Sequence, residues 1–230
     1  MKVFADGANF REMVRLDGDP LIEGFTTNPT LMRKAGVENY TNFCRDLLFV
    51  IRQKPISFEV FAEDQEEMIR QAKVVASWGD NVYVKIPVVD KNGTLNSSCI
   101  SHLARFGIKL NVTAVMNEYQ CYRVSTLLQP DTPSIISVFA GRISDTGRNA
   151  STYMRRCKGA IQKDNQELLW ASPRRVYDYH EAKDSGADII TMTPALIKKM
   201  RDNLNKSLWQ FSIETVNMFN NDAKEAGYQL

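Results

Sequence analysis

The stretch "NVYVKIPVV", residues 81–89, sets Lys85 inside an otherwise aliphatic run of strand-forming residues. In a strand, successive side chains point to opposite faces. Val82, Val84 and Ile86 then share one face, and Tyr83, Lys85 and Pro87 the other. An unpaired ammonium group is costly to desolvate. The lysine therefore needs a partner or a task, and which one depends on where the other strands end.

Seven further β-rich runs occur: "KVFAD" (2–6), "IEGFT" (22–26), "ISFEVF" (56–61), "KLNVTAV" (109–115), "SIISVF" (134–139), "ELLWAS" (167–172) and "DIITM" (188–192). Segments of helical spacing separate them, such as Asp64 to Trp78 with Met68, Ile69, Ala72, Val75 and Ala76 along one side. Strands alternating with helices imply a parallel sheet. Eight such units in about 200 residues suit a (β/α)8 barrel near its lower size limit. A doubly wound open sheet usually carries a glycine-rich phosphate turn after its first strand. Here "FADGANF" (4–10) follows that strand, without GxGxxG. The expected fold is a single-domain (β/α)8 TIM barrel over 1–230, with a C-terminal helical extension from about 203.

Composition narrows the function classes. A chain of 230 residues, 43% hydrophobic, can bury one sizeable core, and no Pro/Gly/Ser linker divides it. Net charge of +2 with 24% charged residues gives no bias toward nucleic acid or a membrane surface. No stretch approaches the roughly 20 apolar residues of a membrane span. The opening "MKVFADGANF" carries an aspartate and does not read as a signal peptide. The four cysteines (Cys44, Cys99, Cys121, Cys157) form no CxxC pair and read as reduced, mostly buried thiols, so a cytoplasmic protein is expected. His102 and His180 stand apart in polar helical stretches, so no metal site is expected.

Alternation sorts the other strands as it sorted the fourth, into helix-facing and axis-facing side chains. Axis-facing are Ser57 and Glu59 on the third, Asn111 and Thr113 on the fifth, and Ser137 and Phe139 on the sixth. The same reading turns Trp170 and Ser172 inward on the seventh and Thr191 and Thr193 on the eighth, with Ala114 outward beside Leu110 and Val112. Asp6 ends the first strand, and Thr27 and Asn28 follow the second in "FTTNP". Polar inward groups thus gather at the C-terminal ends of the strands, where barrel enzymes build their active sites. Inward Ser and Thr are often packing groups, Asn28 could merely cap a helix, and Lys85 with Glu59 or Asp6 could be a structural ion pair. Lys, Glu and Asp converging with Asn and Thr are harder to explain as packing.

An amine among aliphatic groups is pushed toward its neutral, nucleophilic form. Such an amine condenses with ketones and aldehydes, and the protonated imine is an electron sink for breaking or forming a neighbouring C–C bond. Proton transfer needs an acid/base, for which Glu59 and Asp6 are available. No metal or organic cofactor is called for.

The motifs "FADGAN" (4–9), "GFTTNPTL" (24–31), "FEV" (58–60), "VKIPV" (84–88), "NVTAV" (111–115), "SVFAGRISD" (137–145), "ASPR" (171–174) and "ITMTP" (190–194) resemble, in order, those of the transaldolase family in its small form, which includes the fructose-6-phosphate aldolases. The resemblance covers nearly the whole chain. It implies a barrel that forms a Schiff base with a dihydroxyacetone unit of a ketose phosphate, with Lys85 as the Schiff-base lysine. It further implies Asp6 as the carboxylate at the bond that breaks and Glu59 as the acid/base acting through a water that Thr113 positions. Asn28 and Asn111 would hold donor hydroxyls, with Thr27, Ser137 and Phe139 beside them at the substrate. Arg142 and Ser172 are similar to the family's phosphate grip, and Arg174 is a weaker candidate. The chain departs from the family's commoner pattern at "FADGAN", at Val138 in place of a usual proline, at Trp170, and in a longer "VVDKNGTLNSSCI" (88–100). None of these touches Lys85.

Three readings follow: a transaldolase, an aldolase that releases dihydroxyacetone, and a barrel that only binds sugar phosphates. The small aldolases of the family carry glutamine where Glu59 stands and tyrosine where Phe139 stands, which favours transfer here. Beyond the eighth unit, Leu208, Phe211, Thr215, Met218 and Phe219 recur at helical spacing, predicting a ninth helix with an apolar stripe. It could close its own barrel. In compact family members it packs on a neighbouring subunit, which implies a homo-oligomer. Small-molecule sugar phosphates are the expected partners.

Overall fold

A computed structural model describes residues 1–229, so Leu230, the last residue of the expected extension, lies outside it. Eight parallel strands pair in chain order, and the last closes on the first. They are β1 (Lys2–Asp6), β2 (Ile22–Thr26), β3 (Ile56–Glu59), β4 (Val82–Pro87), β5 (Leu110–Val115), β6 (Ser134–Val138), β7 (Gln166–Trp170) and β8 (Ile189–Met192). The helices are α1 (Phe10–Asp17), α2 (Pro29–Lys34), α3 (Tyr40–Val50), α4 (Gln65–Ala76), α5 (Ser97–Arg105), α6 (Glu118–Leu127), α7 (Ala140–Asp145), α8 (Ala150–Ala160), α9 (Asp178–Asp184), α10 (Pro194–Asn203) and α11 (Leu208–Glu225). The expected (β/α)8 barrel is the fold. The terminal helix is the eleventh among the described residues, because two helices follow β2 and two follow β6.

Short polar residues start many of these helices for a local reason. The side chains of Asn9, Asn28, Asn39, Asp64, Asn117 and Asn149 each accept a hydrogen bond from the backbone N–H three residues on, satisfying a donor that the first turn leaves free. Pro29 and Pro194 sit in first turns, where the missing N–H costs nothing.

Two apolar layers result. Val82, Val84 and Ile86 are buried in the large core between barrel and helices, as alternation on β4 requires. A smaller cluster of Phe4, Ile135, Leu169, Ala171 and Ile189 fills the barrel itself, with Tyr83 and Phe139 packed on it. Phe4 reaches the axis because Gly24 opposite has no side chain: a Cβ there would lie 2.6 Å from the Phe4 ring.

Two expected phases are corrected. On β7 it is Leu169 and Ala171 that face the axis, while Trp170 packs toward the helices. Ser172 still reaches the cavity because it lies past the strand with φ of 58°, which breaks the alternation. On β5 the register against β6 slips between Val112 and Val115, and Ala114 takes the extra residue at φ 61°. Val115, not Ala114, then fills the helix-facing layer. A bulge shifts every later side chain to the other face.

α11 does not close its own barrel. None of its residues is buried, and Leu208, Trp209, Phe211, Met218 and Phe219 of its apolar side are exposed. No helix among the described residues is long and apolar enough to cross a membrane.

Candidate active site

Register brings the polar ends of neighbouring strands together. Glu59 pairs with Lys85 across β3 and β4, Lys85 with Asn111 across β4 and β5, and Asp6 with Thr26 across β1 and β2. Over them opens a cavity of 510 Å³ at the C-terminal ends of the strands. Asp6, Asn28, Glu59, Lys85, Thr113, Ser137, Phe139, Arg142, Ser172 and Arg174 all line it.

Lys85 is 5% exposed, and its charge is satisfied. Its Nζ lies 3.0 Å from Glu59 Oε2 and donates to the Thr27 carbonyl at 3.0 Å. Glu59 is itself held from behind, because the Tyr40 hydroxyl donates to its backbone carbonyl at 2.7 Å. On the other side of the floor, Thr26 Oγ1 donates to Asp6 Oδ1 at 2.7 Å. A hydroxyl has one proton, so Thr191 Oγ1, 2.5 Å from Thr26 Oγ1, must donate in turn. Burial pushes the Asp6 carboxyl above its ordinary range, against the opposing pull of Lys85 and of the Thr26 hydrogen bond. The nearby Glu59 charge adds to the rise. An acid raised toward neutrality is better matched to moving protons there. Thr113 Oγ1 is buried without a protein partner and lines the same cavity, so it can accept or donate to whatever enters.

Two of the expected site residues lie behind the wall. Asn111 is fully buried, with its Nδ2 donating to Ser57 Oγ at 3.0 Å and its Oδ1 accepting from Ser137 Oγ at 2.6 Å. It ties three strands together one layer beneath the opening. Thr27 contributes its carbonyl to Lys85 while its own hydroxyl is buried and unpartnered. Asn28 caps a helix and also faces the cavity. Its Oδ1 caps α2 through Leu31 N–H at 3.0 Å, and it lines the cavity, where its amide N–H groups remain to donate.

The far wall is basic. Arg142 stands on α7 with its guanidinium 5.5 Å from the Phe139 ring, and it makes no ion pair among the described residues. Asp145, which might have neutralised it, pairs instead with Arg174 at 2.6 Å. Gly141 lets Ser172 come in beside them, since a Cβ at that glycine would lie 1.6 Å from the Ser172 carbonyl oxygen. Thr26, Lys34, Leu169 and Ala171 also line the cavity and were not among the expected site residues. Thr26 was readable from alternation with Gly24 on β2, whereas Lys34 enters from the end of a helix and left no periodic signal.

No group of three or more His, Cys, Asp or Glu side chains placed to hold a metal ion occurs among the described residues. The four cysteines are free and buried.

The comparisons with known proteins agree with one another. A solved structure described as a putative phosphonomutase from Burkholderia cenocepacia superposes with a TM-score of 0.58 over 96% of this chain and 93% of its own, at 10% identity, a likeness of fold alone. A "probable transaldolase" of Bartonella tribocorum is 30% identical over 233 residues, covering 100% of both chains. A second, of Brucella anthropi, is 32% identical over 203 residues, 87% of this chain and 88% of the relative. The sequence profile of the family described as Transaldolase/Fructose-6-phosphate aldolase matches residues 3–230, and it is to this family that the chain belongs.

Proposed function

We propose that the protein is a transaldolase, carrying a dihydroxyacetone unit from a ketose phosphate such as sedoheptulose 7-phosphate or fructose 6-phosphate to an aldose phosphate through a Schiff base on Lys85. The observation that supports this most is the burial of Lys85 against Glu59, on the floor of a cavity that Asp6 and Thr113 share.

In this reading the Lys85 ammonium passes a proton to Glu59, and its freed lone pair attacks the ketone carbon. Glu59 returns the proton, so that the former carbonyl oxygen leaves as water and a protonated imine remains. Asp6 takes the proton from the substrate hydroxyl beside the scissile bond. The C–C bond breaks, the aldehyde departs, and the electron pair is held as an enamine on Lys85. An acceptor aldehyde then adds by the reverse sequence. Asn28 donates to the donor's hydroxyls, and Arg142, Ser172 and Arg174 grip the phosphate, a bidentate task suited to guanidinium.

Phe139 favours transfer over release. It offers no hydroxyl to protonate the enamine, so the intermediate should persist until an acceptor arrives. Such a reaction on diffusing sugar phosphates suits a cytoplasmic enzyme. The exposed apolar side of α11 supports a homo-oligomer, which light scattering at micromolar concentration would test by excluding or finding a monomer.

The test is reduction with borohydride in the presence of fructose 6-phosphate, followed by peptide mapping and by assay of free dihydroxyacetone with and without erythrose 4-phosphate. A covalent adduct on Lys85, with release slow unless acceptor is present, is expected. An adduct elsewhere would remove the assignment, and rapid release without acceptor would make the protein an aldolase. No adduct at all would leave only sugar-phosphate binding.

A further inference from the structure

We infer that Asp178 is the positioning residue of the anion-gripping wall: its buried carboxylate fixes the segment 172–175 so that Ser172 and Arg174 stand beside Arg142. The inference rests on the reading of this cavity as a sugar-phosphate site.

The segment leaves β7 in an unusual way. Ser172 adopts φ of 58°, a left-handed conformation that a serine does not favour by itself. Its carbonyl presses on Gly141, and the Gly141 N–H donates to the Ala171 carbonyl at 3.2 Å. Pro173 has no N–H. The first backbone donors after Ser172 are therefore those of Arg174 and Arg175, and both turn to Asp178 Oδ2, at 2.6 and 3.1 Å. Asp178 Oδ1 accepts from Arg175 Nε at 2.9 Å and lies 2.7 Å from Arg175 Nη2. That same Nη2 reaches Glu181 Oε2 at 2.7 Å.

Asp178 is 3% exposed, and a buried carboxylate is costly unless its oxygens are occupied. It stands in the first turn of α9, where an acid ordinarily serves its own helix, and the residue before it supplies no side-chain cap. Here it reaches backward to the loop instead. Of the two arginines in "SPRR", Arg175 is thereby consumed in holding the loop. Arg174 keeps its backbone fixed while its side chain stays on the cavity wall, tied only to the half-exposed Asp145. Removing the Asp178 carboxylate would leave two backbone donors without partners and the Arg175 guanidinium with Glu181 alone, and would free Ser172 to relax out of its left-handed conformation.

The test compares Asp178→Ala and Asp178→Asn with the unmodified protein. It reads inorganic phosphate binding by calorimetry, and KM and kcat for fructose 6-phosphate. Asp178→Ala should weaken phosphate binding and raise KM together by about tenfold or more, since small misplacements at a binding site carry large penalties. The kcat should fall far less, because Lys85, Glu59 and Asp6 stand on other strands. Asp178→Asn keeps an oxygen for the two N–H groups and should recover most of the loss. Unchanged phosphate binding in a folded Asp178→Ala protein would overturn the inference, as would an Asn variant no better than Ala. Should the Ala variant not fold, the Asn variant carries the test through Arg175: a phosphate Kd and KM equal to those of the unmodified protein would overturn the inference, and a modest rise in Kd and KM with kcat kept would support it. If the unmodified protein traps ketose on Lys85 yet binds no phosphate, the phosphate reading falls and takes this inference with it. If it binds phosphate and Asp178→Ala binds it equally well, the inference alone falls.

Discussion

On four strands of the same barrel, two layers two residues apart have opposite characters. The lower one holds Phe4, Tyr83, Ile135, Leu169 and Ile189, packed on one another. The upper one holds Asp6, Lys85, Ser137 and Thr191 on four of those same strands, facing a cavity. The step from Tyr83 to Lys85 or from Phe4 to Asp6 crosses from one to the other. Apolar filling below gives each strand a fixed height and tilt, and the polar groups above inherit those positions. In barrels generally, the lower end serves stability and the upper end chemistry. Here the division runs through single strands.

That division can be broken from above with the largest effect. Lys85→Met should abolish borohydride trapping and transfer while the circular dichroism of the barrel is kept, because the apolar layer below still packs and Glu59, partly exposed at the cavity, can take water in place of the ammonium. Loss of the fold would mean that the upper layer also holds the barrel together. Glu59→Gln comes next: transfer should fall by something like 10²–10⁴-fold, the usual worth of an acid/base group. Phe139→Tyr should move the balance toward release of dihydroxyacetone. A Glu59→Gln protein with undiminished transfer would reduce Glu59 to a counter-ion.

From below, the expected effect is on stability alone. Phe4→Ala empties the space over Gly24 and should lower unfolding free energy by about 3–5 kcal/mol, with kcat nearly unchanged at low temperature. A large fall in kcat would show that the layers are not separable. Arg142→Ala, on the rim, should raise KM for phosphorylated sugars by a factor equivalent to ~2–3 kcal/mol for a charged hydrogen bond, read by steady-state kinetics. An unchanged KM would place the phosphate elsewhere.

The smallest effect sharpens the contrast by its sign. Because burial raises the Asp6 carboxyl, the folded state holds that proton more tightly than the unfolded chain does. The stability this contributes is complete below the ordinary value of 3.8 and is lost as pH rises through the raised value. Asp6→Asn should therefore raise the thermal midpoint at neutral pH and cost activity, with the stability gain shrinking as pH falls toward about 4. A variant less stable than the original at neutral pH would mean that the Lys85 and Thr26 contacts outweigh burial.

Much of the upper layer was legible because β3, β4 and β6 are regular. Period two placed Glu59, Lys85, Ser137 and Phe139 without further help. Alternation failed where the backbone departs from a strand. Period two turns Trp170 inward together with Ser172, yet the left-handed turn at Ser172 lets both it and Ala171 reach the cavity. Asn111 faces inward, and only the tertiary structure shows that one of its amide N–H groups goes to Ser57 and that its oxygen accepts from Ser137. Asp178 and Lys34 had no periodic signal, because both come from helices that follow the strands.

The sequence by itself determined the barrel, the inward lysine and the family, because alternation and motif order are properties of the chain taken one residue after another. Tertiary structure alone decided which groups meet. It brought Glu59 to 3.0 Å from Lys85, gave Asp145 to Arg174 rather than Arg142, and left the apolar side of α11 uncovered. Those outcomes depend on strand stagger, on bulges and on the reach of loops across the barrel mouth. Each of these balances hydrogen bonding and burial over residues far apart in the chain, so no local pattern records it.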